Sequence, residues 1–271
     1  MLARLLFVAA FAAILGCSPA LYDEANSVSW TTMGTTATLR TRHGDEEEFE
    51  KTLFAIQDVF QRVEHELSRY DTNSVLRKTG RPTPFSQPCW DAAEQLKQAS
   101  KGVFNVNWRG GSDLDFGGIA KGFAVDLAAD AAREIGGDYD LLIDLGGNLK
   151  AVRGAWRTGV RDPNGERVAA FVDLRPGESL ATSAEYYRGK HIKDGRTGRA
   201  VSNEVASVTV LSTSATWADG LSTTLFILGP DAGRPFLRDH AARFPSGLAV
   251  LWILRDGRRV VLDPARRFRE C

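Results

Sequence analysis

Cysteine, histidine and net charge are all scarce in this chain, and each scarcity excludes something. Three cysteines and four histidines occur in 271 residues. No Cys-x-x-Cys pair is present, and His43, His65, His191 and His240 are scattered, so no zinc-site spacing exists. The 34 Lys and Arg are matched by 34 Asp and Glu, giving a formal charge of zero. Without a basic block to neutralise phosphates, the composition argues against nucleic acid as a partner. No Gly-x-Gly-x-x-Gly or Walker A run appears, which removes the two commonest nucleotide-binding loops. No Pro/Ser/Gly-rich linker marks a cut, so one large domain or two intimately packed lobes is expected. With 43% hydrophobic and 25% charged residues, the chain can bury a core.

The first residues are of a different material. A single charge, Arg4, precedes the apolar run Leu5 to Leu15 and then Gly16-Cys17. That run is too short to span a bilayer but suits the apolar stretch of a signal peptide. Ile14-Leu15-Gly16-Cys17 resembles the lipobox of bacterial lipoproteins, in which a diacylated Cys becomes the new N-terminus. The resemblance implies a signal peptide over 1–16, lipidation at Cys17, a tether over 17–26 and a folded domain over 27–271. It further implies a lipid anchor on the periplasmic side of a bacterial membrane. Ser18 stands where inner-membrane retention commonly uses Asp, which favours the outer membrane. Cys89 and Cys271 remain, and a disulfide between them stays open.

Beyond the tether, helical and strand patterns mix. Ser27 to Arg42 is rich in Thr and Val and reads as a strand, after which Phe49, Leu53, Ile56, Val59, Phe60 and Val63 recur at helical spacing. Helices are also expected from Cys89 to Ser100, from Ile119 to Ile135 and from Ala215 to Leu228, the last two closed by Gly136-Gly137 and Gly229-Pro230. Strands are expected over Leu141–Ile143, Leu149–Val152, Ala169–Leu174, Val205–Leu211 and Leu248–Leu254. This order predicts an α+β fold with a mainly antiparallel sheet and an active-site cleft between two packed lobes.

Chemistry-bearing residues gather in three places. Asp115-Phe116-Gly117-Gly118-Ile119-Ala120-Lys121-Gly122, with Asp126 further on, puts two glycines and a lysine at a helix entrance, where an anion can be held; a plain glycine turn has the same pattern. Asp144-Leu145-Gly146-Gly147-Asn148 follows a strand and suits either a ligand crevice or a tight hairpin corner. The third group is Thr182-Ser183-Ala184-Glu185-Tyr186-Tyr187, then His191 to Gly198, then Trp217 to Thr223. Asp219 and Thr223, four apart on a helix, share a face and offer oxygen to a hard cation; a helix-dipole Asp and a back-bonded Thr would have the same spacing.

Order and spacing together carry a resemblance. Met33-Gly34-Thr35, Leu67-Ser68-Arg69-Tyr70 with Ser74, Asp115-x-x-Gly118-x-x-Lys121-Gly-x-x-x-Asp126, Leu145-Gly146-Gly147-Asn148, Thr182-Ser183, His191-Ile192-x-Asp194 and Ala218-Asp219-x-x-x-Thr223 follow one another as in a single family. Over about residues 27 to 255 the chain resembles the ApbE-type FAD:protein FMN transferases, periplasmic lipoproteins that use Mg²⁺ and FAD to attach FMN to Thr or Ser of a partner protein. The resemblance implies FAD contacts at Met33, Tyr70, Val106, Asp115, Lys121 and Ile192. It implies a metal held by the Gly118 carbonyl, Asp219 and Thr223, and a catalytic role for Asp219 and for His191 beside the reacting phosphate. The acceptor would carry a segment like Asp-x-x-Ser/Thr-Gly-Ala-Ser/Thr.

The chain also departs from the family. Phe104-Asn105-Val106-Asn107-Trp108 replaces a stretch that carries acidic and hydroxyl groups in relatives. Several tens of residues that usually follow are missing, because Trp108 and Asp115 are nearly adjacent. Gly195 stands where Pro is usual, which is expected to loosen that turn. Two alternatives therefore accompany FMN transfer: a pyrophosphatase splitting FAD to FMN and AMP, or a lipoprotein that binds FAD without turnover.

Overall fold

A computed structural model describes residues 25–185 and 191–270. Eight strands form the central sheet, all paired antiparallel. In chain order the strands are β1 (Asn26–Thr32), β2 (Thr35–Arg42), β3 (Asp140–Leu145), β4 (Asn148–Arg153), β5 (Trp156–Arg161), β6 (Val168–Leu174), β7 (Ser179–Ala184), β8 (Val205–Ser212), β9 (Ala249–Leu254), β10 (Arg259–Leu262) and β11 (Phe268–Glu270). The central sheet runs β1-β2-β3-β4-β7-β8-β9-β10, and a smaller sheet runs β11-β6-β5. The helices are α1 (Glu46–Leu67), α2 (Val75–Thr79), α3 (Gln87–Ala99), α4 (Ala120–Ile135) and α5 (Ala215–Asp239).

Strand alternation explains the layering. Within β3, Leu141 and Ile143 join the helices in the larger core while Leu142 turns to a second core. The same division separates Val250, Trp252 and Leu254 from Ala249, Leu251 and Ile253 in β9. Side chains alternate across a strand, so the central sheet feeds two cores: one under the helices, the other against the smaller sheet through Trp156, Val160, Val172 and Leu174. The α+β class with a mainly antiparallel sheet is the one the sequence predicts.

The helices follow from caps and stripes. Asp45 caps α1 by accepting from the backbone N–H of Glu47 and Glu48 at 2.9 and 3.2 Å, and Glu46, Glu47 and Glu48 lie at the positive end of its dipole. Ile56, Phe60, Val63 and Leu67 form its buried face. Truncating Phe60, which is fully buried, would cost roughly 3–5 kcal/mol. The helix that begins at Ala215 is interrupted after Leu228, as expected: Gly229 breaks the backbone at φ 69° and ψ 175°, and a further helical segment begins with Pro230, whose missing N–H is tolerated in a first turn.

The stretch read as one strand over Ser27 to Arg42 is a hairpin that turns at Met33 and Gly34, both at positive φ. Strands β5, β7, β10 and β11 and the short α2 add to the expected elements. Among the described residues no helix is long and apolar enough to cross a membrane. Cys89 is a buried free thiol. The signal, Cys17 and Cys271 lie outside the described residues, as do Tyr186 and Tyr187.

Candidate active site

The site begins where chain enters α4. The Asp115 N–H donates to the Val106 carbonyl at 2.7 Å, and its Oδ1 accepts from Gly117 N at 3.0 Å, which fixes the turn ahead of Gly118. Phe116, 1% exposed, anchors that turn in the core. Lys121, in the first turn, donates from Nζ to the Gly117 carbonyl at 3.0 Å and lies 3.6 Å from Asp219 Oδ2.

Helix α5 packs directly on this entrance. Asp219 is buried, and its Oδ2 accepts from the Gly122 backbone N–H at 2.9 Å. Only glycine fits at 122, because a Cβ there would meet Ala215 O at 2.1 Å and Asp219 Cβ at 2.7 Å. One turn along, Thr223 Oγ1 donates to the Gly118 carbonyl at 3.3 Å and lies 3.2 Å from Ser183 Oγ on β7. Gly118 O, the Asp219 carboxylate and Thr223 Oγ1 therefore converge from two elements. One carboxylate, one carbonyl and one hydroxyl oxygen form a donor set of the kind Mg²⁺ accepts, usually with waters and substrate phosphate completing its shell. No group of three or more His, Cys, Asp or Glu side chains able to hold a metal occurs among the described residues.

These groups open into a cleft of about 870 Å³, a volume suited to a nucleotide-sized ligand. Tyr70, Asp115, Gly118, Lys121, His191, Ile192, Asp219 and Thr223 all line it. His191 is exposed at its wall, whereas Ile192 is buried and its carbonyl accepts from Val201 N at 3.1 Å. Met33 and Val106 do not line it; both pack partly buried against the main core. The N–H of Met33 instead donates to Glu64 Oε2 at 3.1 Å, which ties the hairpin turn to α1.

The structure adds residues not singled out from sequence. Arg69 reaches Asp115 at 3.2 Å and Asp113 at 3.3 Å, and Arg77 and Arg109 lie 3.8 and 3.6 Å from Asp113. The stretch from Trp108 to Asp115 is thus a loop tied down by an ion cluster. Beside it Tyr70 is 84% exposed, with the Arg69 guanidinium 5.1 Å from its ring. The adjacent Ser68-Arg69-Tyr70 motif was the available signal for Arg69, but its sequence neighbour carried the expected contact.

Thr36, Thr38, Asp144, Gly146, Gly147, Arg161, Thr182 and Ser183 also line the cleft. Burial pushes the Asp144 carboxyl above the usual carboxylate range, although the Gly147 N–H at 2.9 Å and Arg40 favour its charge. The expectation for Gly195 needs correction. Its N–H donates to the Val103 carbonyl at 2.9 Å, and a Cβ would meet Gly102 O at 2.5 Å and Asn105 Cβ at 2.6 Å. Gly195 therefore does not loosen the turn; it lets the His191 segment dock closely on the loop after α3. The Arg196 side chain holds the Asp194 carboxyl below its ordinary range, at 2.6 Å from Oδ2.

Comparisons with known proteins add a family. The model of the ApbE family matches residues 107–245, just over half of the chain. A relative from Klebsiella pneumoniae (strain 342), called FAD:protein FMN transferase, is 34% identical over 168 residues, covering 59% of this chain and 51% of its own. One of the same name from Rhodobacter capsulatus is 38% identical over 156 residues, 53% of this chain and 28% of the relative. The chain thus spans about half or less of the length of these curated relatives. The solved flavin transferase ApbE from Vibrio cholerae superposes with a TM-score of 0.73 at 21% identity, over 89% of this chain and 98% of that one. The ApbE protein from Thermotoga maritima gives 0.75 at 21% identity, over 88% and 96%. At these identities the two structures establish the shared fold.

Proposed function

The chain belongs to the ApbE family, and we propose that it is an Mg²⁺-dependent FAD:protein FMN transferase. It moves FMN from FAD to a Thr or Ser hydroxyl of a periplasmic partner protein and releases AMP. The observation carrying this reading is the convergence of Gly118 O, Asp219, Thr223 and Lys121 on one cleft. The names of the curated relatives support the same reaction.

Phosphoryl transfer needs positioning and charge neutralisation more than covalent chemistry by the protein. Gly118 O, Asp219 and Thr223 would hold Mg²⁺, which when bound would supply Lewis-acid neutralisation of pyrophosphate charge. Lys121 offers its ammonium to a pyrophosphate oxygen, while Tyr70, Asp115 and Ile192 bind FAD along the cleft, with Met33 and Val106 supporting its walls. His191 accepts the proton of the attacking hydroxyl as that oxygen bonds to the FMN phosphorus. The bond from that phosphorus to the AMP phosphate breaks, and its electron pair leaves on AMP.

The chain is anchored through lipidated Cys17 on the periplasmic side, with the outer membrane favoured. A second reading, the FAD pyrophosphatase, is favoured by the exposure of Tyr70 at the cleft mouth, where water has access. The test is AMP release by the full chain from FAD in the presence of an acceptor protein carrying the hydroxyl segment, with and without Mg²⁺, for wild type and Asp219→Ala. Loss of the neutralising carboxylate is expected to slow release roughly 100-fold or more. Equal rates in the two proteins, or rates indifferent to Mg²⁺, would overturn the metal assignment.

A further inference from the structure

Asp126 lies outside the cleft wall, yet its carboxylate is heavily engaged. Its Oδ2 accepts from Ser214 Oγ at 2.7 Å, Thr216 N at 2.9 Å and Thr216 Oγ1 at 2.8 Å, while Oδ1 accepts from Ala215 N at 2.9 Å. All of these donors belong to the cap and first turn of α5. On the other side lies Lys150 Nζ, 3.0 Å from Oδ1. The buried Lys150 also donates to Ser179 Oγ, Gly177 O and Thr213 O at 3.1, 3.2 and 3.0 Å, which fixes the carboxylate against the central sheet.

The sequence positions reveal what this contact governs. Gly118 meets Thr223, Gly122 meets Asp219, and Asp126 meets Ala215. Positions on one side rise by four as those on the other fall by four, so the contacts are successive rungs between antiparallel partners. The upper two rungs contain the metal oxygens. The third contains only Asp126, held by Lys150 and by the start of α5. Sliding α5 along α4 would break all three rungs together.

We propose that Asp126 is a positioning residue for the metal site: from α4 it sets the register in which α5 presents Asp219 and Thr223 to Gly118 O. This rests on the Mg²⁺ reading above. Asn at 126 keeps the shape but replaces an acceptor oxygen by a donor amide facing N–H, O–H or ammonium groups, so the rung cannot close as before. Outer partners that orient metal ligands typically tune affinity 10- to 100-fold.

The experiment is Mn²⁺ binding to the full chain, read from the electron paramagnetic resonance of free Mn²⁺ without FAD. It compares wild type, Asp126→Asn, Thr216→Val and, as a control destabilised in the core at an α1 residue that makes none of the rung contacts, Phe60→Leu. The Asp126→Asn dissociation constant is expected to rise about ten-fold. Thr216→Val, which removes one of the donors, should raise it roughly two- to three-fold, a small part of the same effect. Phe60→Leu should melt earlier and bind Mn²⁺ as wild type does. Wild-type affinity in Asp126→Asn, or equal weakening in Phe60→Leu, would overturn the positioning role. Should Asp126→Asn fail to fold, wild-type affinity in Thr216→Val overturns it and weakened affinity supports it. A wild type that binds no Mn²⁺ refutes the metal reading itself, and the register role with it.

Discussion

Replacing Gly122 by Ala tests how closely α4 and α5 must approach for the site to exist. The added Cβ would sit 2.1 Å from Ala215 O, 2.6 Å from its carbonyl carbon and 2.7 Å from Asp219 Cβ. Ordinary carbon contacts lie near 3.5–4.0 Å, so the helices must separate by more than about 1 Å. Two of those atoms belong to the α5 backbone and cannot swing aside. Overpacking of this kind costs typically about 1–3 kcal/mol. Separation also stretches the Gly122 N–H bond to Asp219 Oδ2, now 2.9 Å, and a hydrogen bond to a charged group contributes about 1.5–3 kcal/mol. Against these stands the gain of about 1 kcal/mol for Ala over Gly within a helix. The losses win, leaving a net destabilisation of roughly 2–5 kcal/mol and a melting temperature lower by about 5–10 °C. Because Asp219 moves with α5, the Mg²⁺ concentration giving half-maximal AMP release should rise as well. Thermal melts followed by circular dichroism and an Mg²⁺ titration of acceptor-dependent AMP release provide both readouts. A variant as stable as wild type with an unchanged Mg²⁺ requirement would refute the close-packed helix pair as the basis of the site.

Gly195→Pro should destabilise this chain by roughly 2–4 kcal/mol through the lost bond to Val103 O and the collision with Gly102 O, visible as a lower urea midpoint. For Asp144, whose carboxyl is raised by burial, folding binds a proton more tightly, so stability falls as pH rises from about 4, where an unfolded Asp ionises. Asp144→Asn should therefore melt higher than wild type at neutral pH, with the difference vanishing below about pH 4; a constant difference would show that charge burial is not its cause. On the proposal that acyl chains on Cys17 provide an anchor, Cys17→Ala should yield a precursor that no longer partitions with membranes; unchanged membrane association in a fractionation assay would remove the lipobox reading.

Sequence legibility followed burial. In α1 the stripe Ile56, Phe60, Val63 and Leu67 declares one wet and one dry face, and its helix was readable. Strand β9 is buried on both sides and reads as an unbroken apolar run whose length rather than period identifies it, whereas β8, also buried on both sides, is interrupted by Ser207, Thr209 and Ser212 and is marked by its Val residues. Small residues hid β7, and shortness and charge at the sheet margins hid β10 and β11. The hairpin turn was missed because a bulky Met33 occupies a positive φ of 48° that the usual Asn-Gly signal would advertise. Within the site, Asp115, Lys121, Asp219 and Thr223 were legible from spacing and resemblance together. Arg69, Lys150 and the packing of Gly122 were not, because each acts on a partner dozens of residues away in the chain.

Flavin transfer itself is tested most directly by the mass of an acceptor. The full chain is incubated with FAD, Mg²⁺ and a protein carrying an Asp-x-x-Ser/Thr-Gly-Ala-Ser/Thr segment, and the intact acceptor is weighed by mass spectrometry while AMP is quantified. FMN transfer predicts an acceptor heavier by one FMN less water, localised to the segment's hydroxyl residue, with one AMP released per acceptor modified and neither product when EDTA replaces Mg²⁺. AMP accumulating with free FMN while the acceptor keeps its mass would contradict the transferase and leave a pyrophosphatase in its place.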